Sequence, residues 1–255
     1  MIHRNELVQY CDALLEAGAF RDACPNGLQV HGQDQVALVA TCTSVSDEFF
    51  TEAIRAGAQL ALVHHGLFWN GDERIIDPLM GGRLGRILTA GLNLLAYHLP
   101  LDAHPTLGNN AQLAGLLDLS EPRFDLGLIR GRAVGCRGRL PKSLSSQELA
   151  HKLDQALGGS SLVLPQGDGL VEQVGILSGS GGDLSVLLEA KRLGVELLVT
   201  GNLHEQSVAA AKELGLSLVA CGHYNSEKLG VRALGDQIAA HFGIQVMHVD
   251  VPNPV

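Results

Sequence analysis

Two adjacent histidines, His64 and His65, end the apolar run of residues 60–63 and stand directly before Gly66. A short, continuous apolar run predicts a buried strand of a parallel sheet, and open α/β sheets bind ligands just past the carboxyl ends of such strands. Side chains of neighbouring strand residues point in opposite directions. The two imidazoles are therefore unsuited to chelate one ion together, but each could bind one of two neighbouring ions. Taken alone, the pair could equally cap backbone carbonyls.

Two further strand-like runs end in a histidine that is followed four residues later by a carboxylate. These pairs are His98 with Asp102 and His223 with Glu227. Where the chain turns into a helix, that spacing places both groups on one face. Neutral imidazole and carboxylate suit zinc, manganese, iron or cobalt. Three strand ends with such groups therefore indicate a metal site, because chance would scatter histidines over helices and loops.

The remaining histidines lack this context. We interpret five of them as structural or solvated, namely His3, His31, His151, His241 and His248. His104 and His204 stay open, since His204 follows another strand-like run and could line a cleft without binding metal. Trp69 lies four residues after His65 and is interpreted either as a lid or substrate-stacking group or as a core residue.

The composition narrows the class of protein. The 255 residues carry a net charge of −9, without a basic run, so nucleic-acid binding through a broad basic face is unlikely from the sequence. The start of the chain reads as an amphipathic helix, and no stretch is long enough to span a membrane. The five cysteines are an odd number without a C-x-x-C pair, which favours a reducing cytoplasm.

The chain repeats its own pattern. Residues 36–66 and 171–202 both read as strand, turn, helix and strand, and Gly57 and Gly194 occupy matching places where helix C-termini are expected. In this register His64 and His65 align with Gly201 and Asn202. The fold class is therefore predicted to be α/β, with two similar α/β domains related by internal duplication and a metal site in the cleft between them.

The domain boundaries follow from this repeat. We place the first α/β half at residues 1–125, completed by a C-terminal strand at 244–251, and the second half at 126–243. Residues 121–145 contain two prolines and read as the crossover between the halves. The glycine-rich segment 178–183 is interpreted as a structural turn, with a phosphate contact kept as an alternative.

Taken together, several motifs make the sequence resemble the GTP cyclohydrolase 1 type 2 homolog family, also described as NGG-interacting-factor-like dinuclear metal proteins. The motifs that carry the resemblance are Pro25-Asn26-Gly27-Leu28-Gln29-Val30, Val63-His64-His65-Gly66 with Phe68-Trp69, His98-Leu99-Pro100-Leu101-Asp102, Gly108-Asn109-Asn110, Ser178-Gly179 with Gly181-Gly182, Thr200-Gly201, and Gly222-His223 through Glu227. They cover nearly the whole chain, and its length is similar to that of the compact bacterial members without the inserted middle domain.

The resemblance implies two divalent metal ions per chain and a ring-shaped homohexamer. The ligands it implies are His64, His65, Asp102, His223 and Glu227, with Glu227 bridging. The metal is not specified and could be zinc, iron, manganese, cobalt or nickel. His98 fits the family motif as a residue of the cleft; we expect a catalytic role in proton transfer and leave its status as a ligand open.

Two functions are compatible with such a site. The first is a metal-dependent hydrolase that acts on a nucleotide-like or cyclic amide substrate, similar to a GTP cyclohydrolase, in which two ions lower the pKa of a water. The second is a ring-shaped scaffold or metallochaperone without turnover. Open coordination positions favour the enzyme, and a closed ligand shell favours the scaffold. The sequence does not identify the small-molecule substrate.

Overall fold

The computed structural model describes residues 1–73 and 75–255. The first part of the chain contains β1 (Ile2–His3), α1 (Arg4–Leu14), a 3-10 helix (Ala17–Ala19), β2 (Gly27–Val30), β3 (Gln35–Val36), β4 (Leu38–Ser44), α2 (Asp47–Arg55), β5 (Leu60–His65), α3 (Pro78–Ala90), β6 (Asn93–Ala96) and α4 (Leu99–Asp102). The second part contains α5 (Asn109–Leu116), β7 (Ser120–Ile129), β8 (Arg132–Leu144), α6 (Ser146–Leu157), β9 (Leu162–Leu164), β10 (Val171–Leu177), α7 (Leu184–Arg192), β11 (Leu197–Thr200), α8 (Glu205–Leu214), β12 (Ser217–Ala220), α9 (His223–Phe242) and β13 (Gln245–His248).

The chain divides into two compact units. The first unit contains residues 1–101 and 230–252, and the second contains residues 102–229 and 253–255. Each unit has its own sheet of mainly buried strands with helices between them, so the predicted α/β class is confirmed. Within the described part of the chain, no helix combines the length and the apolar character that a membrane span requires.

The sheet of the first unit has the strand order β13-β4-β5-β6-β2. Strands β4, β5 and β6 are parallel, as their continuous apolar sequences predict, and β13 pairs in parallel with β4. Strand β2 closes the other edge in the antiparallel direction. The carboxyl ends of β5 and β6 therefore lie at the same edge of the sheet, and this places their terminal residues next to each other.

The sheet of the second unit repeats this plan. Its order is β7-β8-β10-β11-β12-β9, with β10, β11 and β12 parallel and β9 antiparallel at the edge. In both units the antiparallel edge strand precedes the three parallel strands in the sequence. Strands β5 and β11 begin at Leu60 and Leu197, the same spacing that separates Gly57 from Gly194. This agreement supports an internal duplication.

The hydrophobic cores lie on the faces of the two sheets. In the first unit Phe49 and Phe50 of α2 pack with strand residues such as Val63, and all three are fully buried. In the second unit Leu149 and Leu153 of α6 do the same on their sheet. Truncation of such a side chain to alanine costs roughly 2–5 kcal/mol. Stability thus resides along the strands, which leaves residues at their ends available for other roles.

Residues 121–145, which we interpreted from the sequence as the crossover between the halves, lie almost wholly in two strands. Strands β7 and β8 form a long antiparallel hairpin there, closed by Arg130 and Gly131, which both have positive φ (49° and 87°). Such a two-residue turn matches the twist of the paired strands. Pro141 is tolerated inside β8 because the pairing with β10 is irregular between Arg139 and Leu144, so no ladder hydrogen bond depends on its nitrogen.

Candidate metal centre

Three histidines of the first unit form one cluster. His64 and His65 end β5, and His98 follows β6 after one intervening residue. Their ring centroids lie 4.7, 5.1 and 5.6 Å apart, and ligand nitrogens of all three lie within 4.8 Å of one another. The expectation that the paired rings point in opposite directions was therefore wrong. His65 is the last residue of β5, and the chain turns at Gly66, so its side chain escapes the strict alternation of a strand.

The backbone and a serine hold the two adjacent rings by their Nδ1 atoms. Nδ1 of the fully buried His64 lies 2.9 Å from the carbonyl oxygen of Tyr97. A carbonyl can only accept, so Nδ1 of His64 is the donor, and Nε2 is the ring nitrogen that can act as a ligand. The hydroxyl of Ser44 lies 2.9 Å from Nδ1 of His65. Both rings are thereby oriented with Nε2 as the remaining nitrogen.

A buried carboxylate holds the third ring. Nδ1 of His98 donates to Oδ1 of Asp22 at 2.8 Å, and the Asp22 side chain is only 2% exposed. Asp22 also accepts hydrogen bonds from the Asn26 amide at 3.0 Å and from the Leu99 N–H at 2.9 Å. Burial acts to raise the pKa of Asp22, but the hydrogen bond and charge of His98 and these two donors outweigh it and hold the pKa well below its usual range.

The second unit brings the pair His223 and Glu227 together at the start of α9. Nε2 of His223 lies 3.0 Å from Oε2 of Glu227, as the four-residue spacing on a helix requires. The amide of Asn202, two residues after the end of β11, lies 3.1 Å from Nδ1 of His223. This histidine is therefore also held by Nδ1, and the Glu227 side chain is almost fully buried.

Asp102, the first residue of the second unit, is held by other side chains of the same unit. Its Oδ1 accepts from the amide of Asn109 at 2.8 Å and from the hydroxyl of Ser178 at 3.2 Å. Asp102 is 5% exposed, and a carboxylate is retained at such a position only where donors or a cation compensate its lost hydration. The glycine-rich segment contributes Ser178 to this arrangement.

Two glycines allow the backbone to approach these groups. A Cβ atom on Gly179, which has a φ of +61°, would lie 2.1 Å from Oε1 of Glu227 and 3.4 Å from Nε2 of His223. A Cβ atom on Gly201 would lie 2.9 Å from Cα of His223. Gly201 aligns with His64 in the internal repeat, so the second unit has no room for a side chain where the first unit places a histidine.

The donor groups of both units fit divalent transition metals. Neutral imidazoles with a defined tautomer and buried carboxylates are the ligands that zinc, iron, manganese and cobalt share. The two histidines left open by the sequence bind elsewhere: His104 accepts from the N–H of Leu107 at 3.0 Å, and His204 pairs with Asp183 at 3.1 Å. The described residues thus contain candidate metal-binding clusters built from the predicted positions.

Sequence reasoning missed the residues that orient the donors, which are Asp22, Ser44, Asn109, Ser178 and Asn202. Gly108 is the N-cap of α5, and the amide of the next residue, Asn109, contacts Asp102. For Asp22 and Asn202 no local signal exists, because each lies in a loop or strand end far from its partner in the sequence.

Comparison with known proteins gives a consistent result. The profile of the family described as Duf34/NIF3 (NGG1p interacting factor 3) matches residues 2–254. A relative from Pseudomonas aeruginosa, called GTP cyclohydrolase 1 type 2 homolog, is 36% identical over 250 residues and covers 98% of both chains. A relative of the same name from Escherichia coli K12 is 37% identical over 251 residues, again with 98% of both chains covered.

A solved structure shares the whole fold. The structure described as "protein ybgI, unknown function" superposes with a TM-score of 0.93 at 36% sequence identity, and the match covers 100% of both chains. The described architecture is therefore that of a known group of proteins.

Proposed function

Since the chain belongs to the Duf34/NIF3 (NGG1p interacting factor 3) family, we propose that it is a dinuclear metal protein and a metal-dependent hydrolase of a nucleotide-like or cyclic amide substrate. The observation that carries the proposal is the way in which four histidine rings are oriented. His64, His65, His98 and His223 each have Nδ1 within hydrogen-bond distance of a protein group, so Nε2 is the ring nitrogen assigned to a metal, and that of His223 lies 3.0 Å from Oε2 of Glu227. Histidine ligands of metals are oriented in this way.

We assign two divalent ions to His64, His65, Asp102, His223 and Glu227, with Glu227 bridging. When bound, such a pair of ions supplies Lewis-acid polarisation and brings the pKa of a water towards neutrality. The clearance that Gly179 gives to Glu227 supports the assignment, since a side chain at residue 179 would push this carboxylate aside. The identity of the metal follows from elemental analysis, not from the donor types, which several metals share.

His98 is proposed as the residue that transfers protons. Asp22 accepts the proton of Nδ1, so exchange with a substrate takes place at Nε2 of His98. A buried carboxylate on the far side of the ring stabilises the imidazolium that forms when Nε2 takes up a proton, as a general base requires.

The name of the relatives points to a purine nucleotide as substrate. In that case water adds to C8 of the imidazole ring and opens it, and a second water releases formate. A cyclic amide would be opened by the same addition of water to a planar carbon. Both substrates need a proton donor for the leaving nitrogen, a role that protonated His98 can fill.

Rate measurements on metal-loaded and chelated protein test the proposal. Nucleotides and cyclic amides are supplied to the native protein and to His64→Ala and Asp102→Ala. His151→Ala is the control, because this histidine is exposed and forms a side-chain hydrogen bond with Gln155, away from the candidate ligands. We expect turnover in the native protein and the control only. Equal turnover in the chelated protein and in folded ligand variants would assign the activity to a contaminant and favour the scaffold or metallochaperone.

Two further properties belong to the proposal. Elemental analysis should find two ions per chain in the native protein and fewer in Glu227→Ala; retention of both would remove the bridging role. Light scattering should give a homohexamer, and a monomer at micromolar concentration would contradict the ring. The five cysteines are all free, which supports a cytoplasmic location for the assembly.

A further inference from the structure

A cavity of about 490 Å³ opens beside His65 in the first unit. Its wall includes Trp69, from the segment after β5, and Arg83, from the second turn of α3. Small-molecule sites have volumes of roughly 300–1,000 Å³ and combine an apolar wall with a few directed polar groups. The cavity has the size for a nucleoside monophosphate and lies next to one of the proposed metal ligands.

Arg83 brings to this cavity a guanidinium group that has no hydrogen-bond or ion-pair partner among the described residues. Its Nε is fully buried and makes no hydrogen bond, and no residue of the described chain forms an ion pair with it. A buried donor left unmatched is destabilising, because the hydration it has lost is not replaced. By contrast, Arg86, three residues later in the same helix, pairs with Asp47 at 2.7 Å. Within this helix, Arg83 is thus the arginine whose donors are available to a ligand.

The carboxylates that line the same cavity are already engaged or exposed. Asp72 accepts from the N–H of Trp69 at 2.8 Å, and Asp77 caps α3 by accepting from the N–H of Met80 at 2.7 Å. Glu73 is exposed. Their negative field opposes a loosely held anion. A short, two-point contact with a planar guanidinium can offset this field, and phosphate and carboxylate groups offer the matching geometry to arginine.

Trp69 supplies a fixed aromatic wall. Its indole N–H donates to the carbonyl oxygen of Gly66 at 3.3 Å, and its ring centroid lies 5.7 Å from that of His65 and 5.1 Å from that of His98. The indole is therefore held in one orientation and is only partly buried. A planar ring of a ligand can pack against such a surface at little entropic cost.

We infer that this cavity binds an aromatic ring that carries an anionic group, with Arg83 on the anion and Trp69 against the ring. The inference rests on the proposed hydrolase and names the class of its substrate. It places the anionic end of the substrate at Arg83 and the ring between that point and His65.

Binding to the metal-free protein tests the inference. Trp69 is the only tryptophan, so its fluorescence reports on this cavity directly, and isothermal titration calorimetry gives the affinity. The probes are guanosine 5′-monophosphate, guanosine, inorganic phosphate and nicotinate, which separate the ring from the anion and phosphate from carboxylate. We expect saturable binding of the monophosphate or of nicotinate, accompanied by a change in Trp69 fluorescence, and binding of guanosine that is weaker by about tenfold or more.

Arg83→Gln should weaken the binding of the anionic probe by roughly tenfold to a hundredfold, and Arg86→Gln should leave it unchanged. If circular dichroism shows that Arg83→Gln is unfolded, Arg83→Lys serves instead, because it keeps the charge and loses the planar fork. Equal affinity of the native protein and the folded Arg83 variant, or of guanosine and its monophosphate, would overturn the inference. Binding by the metal-free protein together with no turnover of the same compound by the metal-loaded protein would contradict the proposed hydrolase alone, since the binding assay does not depend on metal.

Discussion

Nδ1 of His98 lies 2.8 Å from Oδ1 of Asp22, a residue 76 positions earlier in the chain. The carboxylate is held in turn by Asn26 and by the N–H of Leu99, so the histidine, its partner and the loop around them form one connected network. A histidine whose Nδ1 is fixed by a buried carboxylate has a defined tautomer and a defined ring orientation. Asp22 therefore determines the tautomer and the orientation of the His98 ring.

We predict that Asp22→Asn lowers metal affinity or turnover by about 10- to 100-fold while the fold is retained, because an amide cannot supply the negative charge that His98 faces. Competition with a chelator of known affinity measures the first quantity, and circular dichroism checks the second. Asp47→Asn is the matched control, since Asp47 is an exposed aspartate of the same unit that pairs with Arg86. An equal loss of metal affinity or turnover in the two variants would contradict a specific role of Asp22 at His98.

The placement of the candidate donors followed from the sequence for a simple reason. Strands buried on both faces must be apolar, so a histidine directly after such a run lies where the strand ends. His64 and His98 satisfy this condition, and parallel neighbours end at the same edge of the sheet. The helix that starts at His223 then fixes the position of Glu227 by its period.

The residues that orient the donors could not be found in this way. Asp22 and Asn202 contact their histidines through tertiary structure, at sequence separations of 76 and 21 residues. Their types are common in loops, where they normally serve turns. The hairpin between β7 and β8 was not predicted, because Arg130 is an unusual residue for a turn position with positive φ and gives no turn signal in the sequence.

The ion pair between Arg137 and Asp125 gives a prediction about pH. Arg137 donates to both oxygens of Asp125, at 2.8 and 2.7 Å. The hydrogen bond from Arg137 is the main reason that the pKa of Asp125 lies below its usual value of 3.8. A carboxyl with a lowered pKa adds stability above pH 3.8, and this contribution disappears as the pH falls through the lower folded value.

Asp125→Asn should therefore lower the free energy of unfolding by up to about 1 kcal/mol at pH 7, a modest value because the pair is partly exposed and screened by solvent. The difference from the native protein should be smaller at pH 3, which lies below the usual value of 3.8. Urea titrations at both pH values measure it. Asp168→Asn, an exposed aspartate without an ion pair in the described structure, should show no difference at either pH. A cost for Asp125→Asn that is the same at pH 3 would contradict the assignment.

Asn109 gives a prediction about coupling between metal and stability. Its amide donates to Oδ1 of Asp102 at 2.8 Å in a fully buried position. Asn109→Asp replaces this donor by a second carboxylate of the same shape, and two adjacent buried carboxylates repel each other. We expect a lower melting temperature than for Asn109→Ala in chelator, and a larger gain on addition of divalent metal. The same melting temperature for both variants in both conditions would contradict a role of Asp102 as a metal ligand.

Substitution of Gly179 distinguishes an effect on metal binding from an effect on stability. Gly179→Ala adds a methyl group 2.1 Å from Oε1 of Glu227 and places alanine at a φ of +61°. Gly194→Ala is the matched control, because Gly194 has a φ of +78° and nothing within 4 Å of a new Cβ. Both variants should lose about 1–2 kcal/mol of stability through backbone strain.

Only Gly179→Ala should lose metal, since Glu227 must move to make room for the methyl group and carries His223 with it. Elemental analysis and thermal unfolding of the two variants, side by side, measure the two effects independently. Full metal content in Gly179→Ala would show that Glu227 can shift without losing its ligand function, and would therefore argue against a bridging carboxylate fixed at this position. A loss of metal in Gly194→Ala as well would assign the effect to general destabilisation of the second unit.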